Sequence, residues 1–168
     1  AKVWRNAHWE AFYNSRCSDL LEGRNRRKQS TTDKWEAFLS NPRHRTANDL
    51  QRAFQRMKGA LQMEDSLAVQ EVQWLYAPTH QKAMSYYYPN SKVVKVHGLL
   101  ADIRVPQEVV AFEIAYWLVC LHHVTGLERI HSFLAQYGLD ESMLEALEWR
   151  KRHWERFRIH NHPMINKK

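Results

Sequence analysis

Apolar residues recur at helical spacing along most of the chain. In residues 47–63 they fall every three or four positions, which marks one face of an α-helix: Leu50, Phe54, Met57 and Leu61. The same spacing predicts helices near Asp33 and from Asp140 onwards, and over residues 3–21, 65–76, 79–88, 92–101, 106–123 and 127–137. We see no convincing strand pattern, so we expect an all-α, single-domain bundle of about eight helices across residues 1–168.

The best-ordered part of this pattern runs from Pro89 to His123. Two apolar helical segments, 92–101 and 106–123, are separated by the charged break Asp102–Arg104, and a proline suited to a first helical turn opens the second. Two helices joined by a short turn are typical of a helix-turn-helix. We therefore predict a helix-turn-helix subdomain at residues 80–123 inside the single domain.

The same residues resemble the helix-turn-helix of sigma region 4-like domains. Lys82–Tyr88, KAMSYYY, looks like the first helix of that unit, and its apolar and turn positions are matched further on by Leu99, Ile103, Val105, Pro106 and Val110. Over residues 80–122 the chain is similar to the late-gene antiterminators of the Q type from phages.

The resemblance implies a DNA-binding regulator of transcription, of bacterial or phage origin, that acts in antitermination. Double-stranded DNA would be the ligand, RNA polymerase a possible partner, and a homodimer is compatible with this function. The helix at 106–122 would lie in the major groove, with its face formed by Gln107, Glu108 and Ala111. Lys92, Lys95 and Arg104 would approach phosphates.

Positive charge is concentrated towards the two ends of the chain. The formal net charge is +7, and residues 1–60 carry thirteen Lys and Arg against six Asp and Glu. A basic surface attracts polyanions, most often nucleic acid. We expect phosphate contacts from basic segments at 24–28, 43–58 and 150–158. They include a mobile basic loop at 22–32 with Arg24, Arg26, Arg27 and Lys28, and a second concentration that begins with Arg43 and Arg45.

The sequence carries no recognisable catalytic motif. The ten His are densest at His122-His123 and at 160–162, but adjacent His point apart on a helix, whereas a zinc site needs about three or four converging ligands. Cys17 and Cys120 lie far apart and form no disulfide framework, which favours the cytoplasm. We therefore expect no enzymatic activity, no metal and no cofactor, and the sequence contains no apolar run long enough to span a membrane.

Two alternatives to DNA binding stay open. The first is a helical protein–protein interaction module without nucleic-acid binding, which would present aromatic side chains such as Trp35, Trp149 or those of residues 86–88 at its surface. The second is a metal-dependent enzyme, which requires at least three metal-ligating side chains to converge.

Overall fold

The computed structural model describes residues 30–121 and 127–165 of the chain. Helix α1 occupies residues 30–39 of the described part. The other elements follow in the order α2 (Ala47–Ala60), β1 (Glu71–Leu75), β2 (Ser85–Tyr88), β3 (Val93–His97), a one-turn 3₁₀ helix (Gly98–Ala101), α3 (Gln107–Cys120), α4 (Leu127–Ala135) and α5 (Asp140–Asn161).

The expectation of an all-α bundle of eight helices is wrong. The described residues form five helices and a three-stranded mixed sheet with the order β1-β3-β2. Strand β1 runs parallel to β3, with Trp74 opposite Val96, and β2 runs antiparallel to β3, with Tyr87 opposite Val94. Segments predicted as helices at 65–76, 79–88 and 92–101 therefore contain the three strands.

Residue type explains why these segments form strands. Their cores, EVQWL, SYYY and VVKVH, are rich in β-branched and aromatic residues, which pack well on a pleated surface. In β3 four of the five residues are buried, on both faces of the strand. A strand covered on both faces shows no apolar–polar alternation, and a short apolar run then fits either period.

The prediction of a helix-turn-helix at 80–123 is wrong, because this segment contains two of the three strands. Residues 82–88 and 92–101, which were to supply its leading helices, instead contribute β2, β3 and the 3₁₀ helix. Helix α3 follows after a loop, close to its predicted position, and α2, α4 and α5 also confirm the helical periodicity. The predicted helix at 3–21 lies outside the described residues, as do Arg24, Arg26, Arg27 and Lys28.

Helix α3 is the central element of the core. It packs against α2, α5 and β3, and α2 also packs on β1. Nine of its residues are buried: Val109, Val110, Ala111, Phe112, Glu113, Ile114, Ala115, Leu118 and Val119. A helix buried around most of its circumference is a core helix, so α3 has little surface to offer a partner. None of the described helices is both long and apolar enough to cross a bilayer.

A cluster of aromatic rings joins both ends of the described chain to the sheet. His97 at the end of β3 makes edge contacts with Trp35 of α1 and with Trp154 of α5, at centroid distances of 5.7 and 5.0 Å. His162, just after α5, lies edge-on to Trp35 at 5.1 Å. Gly98 permits this packing, because a Cβ there would lie 2.6 Å from Cζ3 of Trp35.

His97 is held neutral in this cluster. Its side chain is fully buried, and its Nδ1 accepts a hydrogen bond from the Leu99 N–H at 3.3 Å. Burial, with smaller contributions from His162 and Arg158, lowers the pKa of His97 to about 3. A buried imidazole of this kind stabilises the fold only while it remains uncharged.

We predict that acid destabilises the protein through His97. In the unfolded chain this imidazole takes up a proton near its ordinary pKa of 6.5, but in the folded chain only near 3. Between those values the unfolded state binds more protons, so stability falls as pH falls. In urea unfolding, the free energy of unfolding should fall by about 2 kcal/mol from pH 7 to pH 5, and this fall should be absent from His97→Phe. An identical pH dependence in both proteins would contradict this assignment.

Candidate functional site

A cleft of about 690 Å³ opens where three segments of the chain meet. One wall is the loop between α1 and α2, with Asn41, Arg43 and His44. A second is the loop before α3, from Asp102 to Arg104, and the third is the end of α5 with the residues that follow it. The cleft therefore collects polar side chains from positions more than a hundred residues apart.

Backbone hydrogen bonds join the two loops. The Arg45 N–H donates to the Ala101 carbonyl at 2.7 Å, and the Ile103 N–H donates to the Arg43 carbonyl at 3.1 Å. His44 and Asp102 pair as an isolated antiparallel bridge between these bonds. The two loops are therefore paired as a short antiparallel ribbon, which forms part of the cleft wall.

The Arg45 guanidinium strengthens this junction from beneath. Its Nη1 donates to the carbonyls of Leu100 and Asp102 at 3.0 and 2.9 Å, and its Nη2 donates to the Val105 carbonyl at 2.8 Å. Three carbonyls of a turning loop thus share one cation. Arg45, predicted from the sequence to contact DNA phosphates, has these donors engaged inside the fold.

Asp102 holds Arg104 in a fixed orientation at the cleft. The Arg104 Nε donates to Asp102 Oδ1 at 3.0 Å and its Nη2 donates to Oδ2 at 2.6 Å. Burial alone would raise the pKa of Asp102, but the hydrogen bonds from Arg104 outweigh it and lower the pKa below its usual value. The carboxylate therefore stays charged and continues to orient the guanidinium.

The outer side of Arg104 contacts α5. Its Nη2 donates to Asn161 Oδ1 at 2.9 Å, and its guanidinium carbon lies 5.4 Å from the centre of the Phe157 ring. The side chain nevertheless remains 64% exposed. Arg104 is thus a positioned cation that solvent, or a ligand, can still reach.

His44 lies deeper in the cleft. Its Nδ1 is hydrogen-bonded to the Phe38 carbonyl, and its Nε2 lies 3.7 Å from Asp102 Oδ2. The ring also packs on Phe38, with centroids 4.1 Å apart. His44 therefore completes the polar wall around the Asp102 carboxylate.

A second depression, of about 330 Å³, adjoins the first at Asn161. It runs along α5 and is lined by His153, Arg156, Phe157, His160 and Asn161. We call the two together the basic cleft, since their charged and imidazole side chains are Arg43, Arg104, Arg156, His44, His153, His160 and His162, with Asp102 as the one carboxylate among the described lining residues. Asp102 is already paired with Arg104, so the surface favours an anion.

The other predicted DNA contacts lie elsewhere. Lys92 occupies the β2–β3 turn with a φ of 52°, and Lys95 on β3 places its Nζ 5.0 Å from the Tyr88 ring. Of the predicted recognition residues, Gln107 is exposed and Glu108 is partly exposed, but Ala111 is buried. A recognition helix needs an exposed face to enter the major groove, and α3 is mostly buried.

Two lining residues, Arg43 and Arg104, were predicted by name to contact phosphates, whereas most of the other lining residues were not predicted. Asp102 was predicted only as part of a charged break between helices. Asn161 reaches Arg104 across 57 residues of sequence. Arg156 lies within the basic segment 150–158, which was predicted from its composition to contact phosphates.

The alternative of a metal-dependent enzyme gains no support from the geometry of the described residues. Across residues 30–121 and 127–165, no three His, Cys, Asp or Glu side chains are grouped closely enough to hold a metal ion. The chain matches no protein-family model, no curated protein and no solved structure. A functional assignment therefore depends on the surfaces of the molecule itself.

We predict that Arg45→Met destabilises the protein by about 2 to 4 kcal/mol, because three carbonyls lose a charged donor. Arg52→Met is the matched control, since Arg52 is 81% exposed and meets Asp49 only at 3.8 Å. That variant should change stability by about 0.5 kcal/mol or less. Equal effects of the two substitutions in urea unfolding would show that Arg45 is not the support of the two loops.

Proposed function

We propose that this protein binds the phosphate backbone of nucleic acid, with double-stranded DNA as the expected ligand, in the basic cleft. The observation that carries the proposal is the convergence of Arg43, Arg104 and Arg156 on one concave surface whose described lining has a single, already paired carboxylate. Anionic phosphate esters at regular spacing are the ligands that such a surface attracts.

Arg104 is the best-prepared phosphate ligand in the cleft. Asp102 and Asn161 fix its guanidinium, so little side-chain entropy is lost when a phosphate binds. Its Nη1, which has no hydrogen-bond partner among the described residues, is left to donate to phosphate oxygens. Because Phe157 lies beside it, a sugar or base would meet an apolar ring next to the charge.

Arg43 and Arg156 stand on either side of this centre. Arg43 is exposed on the α1–α2 loop, and Arg156 is exposed on α5. Neither has an ion pair with another described residue, so both can neutralise phosphates without first giving up a partner. Contacts of this kind set position and affinity and carry no base sequence information.

We thus propose nucleic-acid binding at the basic cleft and not at α3. Binding through the backbone is expected to depend little on sequence and strongly on salt. A role in transcription control or antitermination, contact with RNA polymerase and a homodimer remain predictions from the resemblance.

We predict that Arg43→Gln combined with Arg156→Gln weakens binding to a fluorescein-labelled duplex. Each lost phosphate contact should reduce the slope of log Kobs against log salt by about 1, so the double variant should lose about 2. Fluorescence anisotropy over a salt series measures this slope directly. Both residues are exposed, so the fold should tolerate the substitutions.

The matched control is Lys92→Gln combined with Lys95→Gln, which removes the same charge from the β2–β3 hairpin. If DNA binds in the basic cleft, the slope of log Kobs against log salt for this hairpin variant should change little. The small change expected comes from the lower overall positive charge. If the hairpin variant loses affinity and the Arg43 and Arg156 variant does not, the cleft is not the binding surface. Absence of binding at low salt in the unmodified protein would overturn nucleic-acid binding altogether.

A further inference from the structure

Strand β2 is an edge of the sheet. Among the described residues, the order β1-β3-β2 gives it a single hydrogen-bonded neighbour. An edge strand has backbone donors and acceptors on its outer side that can pair with another chain. The outer side of β2 is therefore a place where an added strand could bind.

The register shows which residues face outwards. Ser85 is opposite Val96, so Met84 is opposite His97, and the His97 N–H donates to the Met84 carbonyl at 2.8 Å. Hydrogen-bonded pairs alternate along antiparallel strands, so Tyr86 and Tyr88 bond to β3 while Ser85 and Tyr87 direct their backbone groups away from it. No hydrogen bond from residues 30–121 or 127–165 to those outward groups is present.

A groove of about 340 Å³ lies beside this edge. Its lining combines aromatic side chains with one charged pair: Ala83, Met84, Ser85, Tyr86, Glu113, Tyr116, Trp117 and Arg150. Apolar and aromatic walls next to an open strand edge can take the alternate side chains of an extended peptide. Within the part of the chain that the structure describes, the groove shares no lining residue with the basic cleft.

The floor of the groove is a closed polar network. The Ser85 hydroxyl donates to Glu113 Oε2, and the Trp117 Nε1 donates to the Ser85 hydroxyl oxygen at 2.9 Å. The Arg150 Nη1 donates to Glu113 Oε1 at 3.3 Å. Burial raises the pKa of Glu113, and Arg150 and Ser85 only partly oppose that shift. Both carboxylate oxygens of Glu113 are thus occupied from within the protein.

Arg150 is the group in the groove that can bind a ligand's charge. Its side chain is 37% exposed, and its one ion pair with a described residue uses Nη1 alone. Its Nε and Nη2 have no hydrogen-bond partner among the described residues. A guanidinium with spare donors at the edge of an aromatic groove matches a carboxylate.

We propose that β2 binds an extended peptide as a fourth strand, and that Arg150 pairs with a carboxylate of that peptide. Ser85 and Tyr87 supply the backbone hydrogen bonds, and Tyr116 and Trp117 contact side chains on one face of the peptide. The peptide's backbone provides affinity, while the carboxylate provides selectivity. This site is independent of nucleic-acid binding in the basic cleft.

The probe is a set of synthetic octapeptides of alternating Thr and Val, with one Asp placed at each position in turn. Fluorescence anisotropy should find members that bind the full chain with a Kd below about 1 mM. Replacing the Asp of the tightest member with Lys should weaken binding at least about tenfold, a change that corresponds to about 1.4 kcal/mol. No binding by any member, or equal binding of the Lys peptide, would overturn the proposal.

Methylation of the peptide's own amides tests strand addition without altering the protein. Methyl groups on one alternate set of amides should abolish binding, and those on the other set should leave it nearly unchanged, because only every second amide faces β2. Equal effects of both sets would overturn the strand geometry. In hydrogen exchange, the Ser85 and Tyr87 amides should become protected on binding. Protection of both amides in the free chain would show that the edge is already covered, and would also overturn the proposal.

The side-chain test compares Arg150→Gln with Arg152→Gln. Arg152 lies on the same helix with its side chain 69% exposed and pairs with Glu148 at 3.1 Å, so its substitution should leave binding unchanged. Arg150→Gln should lose the preference for Asp over Lys in the peptide while amide methylation keeps its alternating effect. Retention of the Asp preference in Arg150→Gln would assign the carboxylate to another group.

Discussion

The insertion of the Arg45 guanidinium among three carbonyls is the interaction on which the basic cleft depends. Those carbonyls belong to Leu100, Asp102 and Val105, in the loop that connects the sheet to α3. The loop turns sharply there, and Arg45 supplies charged donors to its carbonyls, including that of Asp102, which also accepts from the Val105 N–H at 3.0 Å. Because Arg45 lies just before α2, the same contacts join the start of α2 to the loop that precedes α3. The orientation of Asp102, and through it of Arg104, follows from this junction.

Burial decides which surfaces remain for function. Helix α3 is mostly buried in the core, where it contacts α2, α5 and β3. In the described part of the chain, two surfaces remain accessible to a ligand: the concave surface between the loops and α5, and the outer edge of β2. The first is cationic and suits phosphates, whereas the second combines backbone groups, aromatic rings and one arginine. The two surfaces have no lining residue in common among residues 30–121 and 127–165, and we expect that they can be occupied at the same time.

The helices could be predicted from the sequence because α2 and α5 keep a regular apolar stripe and α3 begins at a proline. The strands could not, since VVKVH is covered on both faces and SYYY is too short to show a period. Arg104 was selected through the resemblance to a helix-turn-helix, and Arg43 was selected by charge. Their grouping with His44, Asn161 and Arg156 depends on contacts between distant segments, and Arg45, chosen by the same criterion, became an internal support.

The central claim is that the basic cleft binds nucleic acid. Two-dimensional NMR of the arginine Nε–Hε groups during titration with a 12-base-pair duplex (roughly one helical turn) tests it most directly. We predict that the resonances of Arg43, Arg104 and Arg156 shift together and saturate with one affinity, while that of the internal Arg45 barely moves. Saturable shifts confined to the arginines outside the cleft, such as Arg52 and Arg152, would contradict the claim.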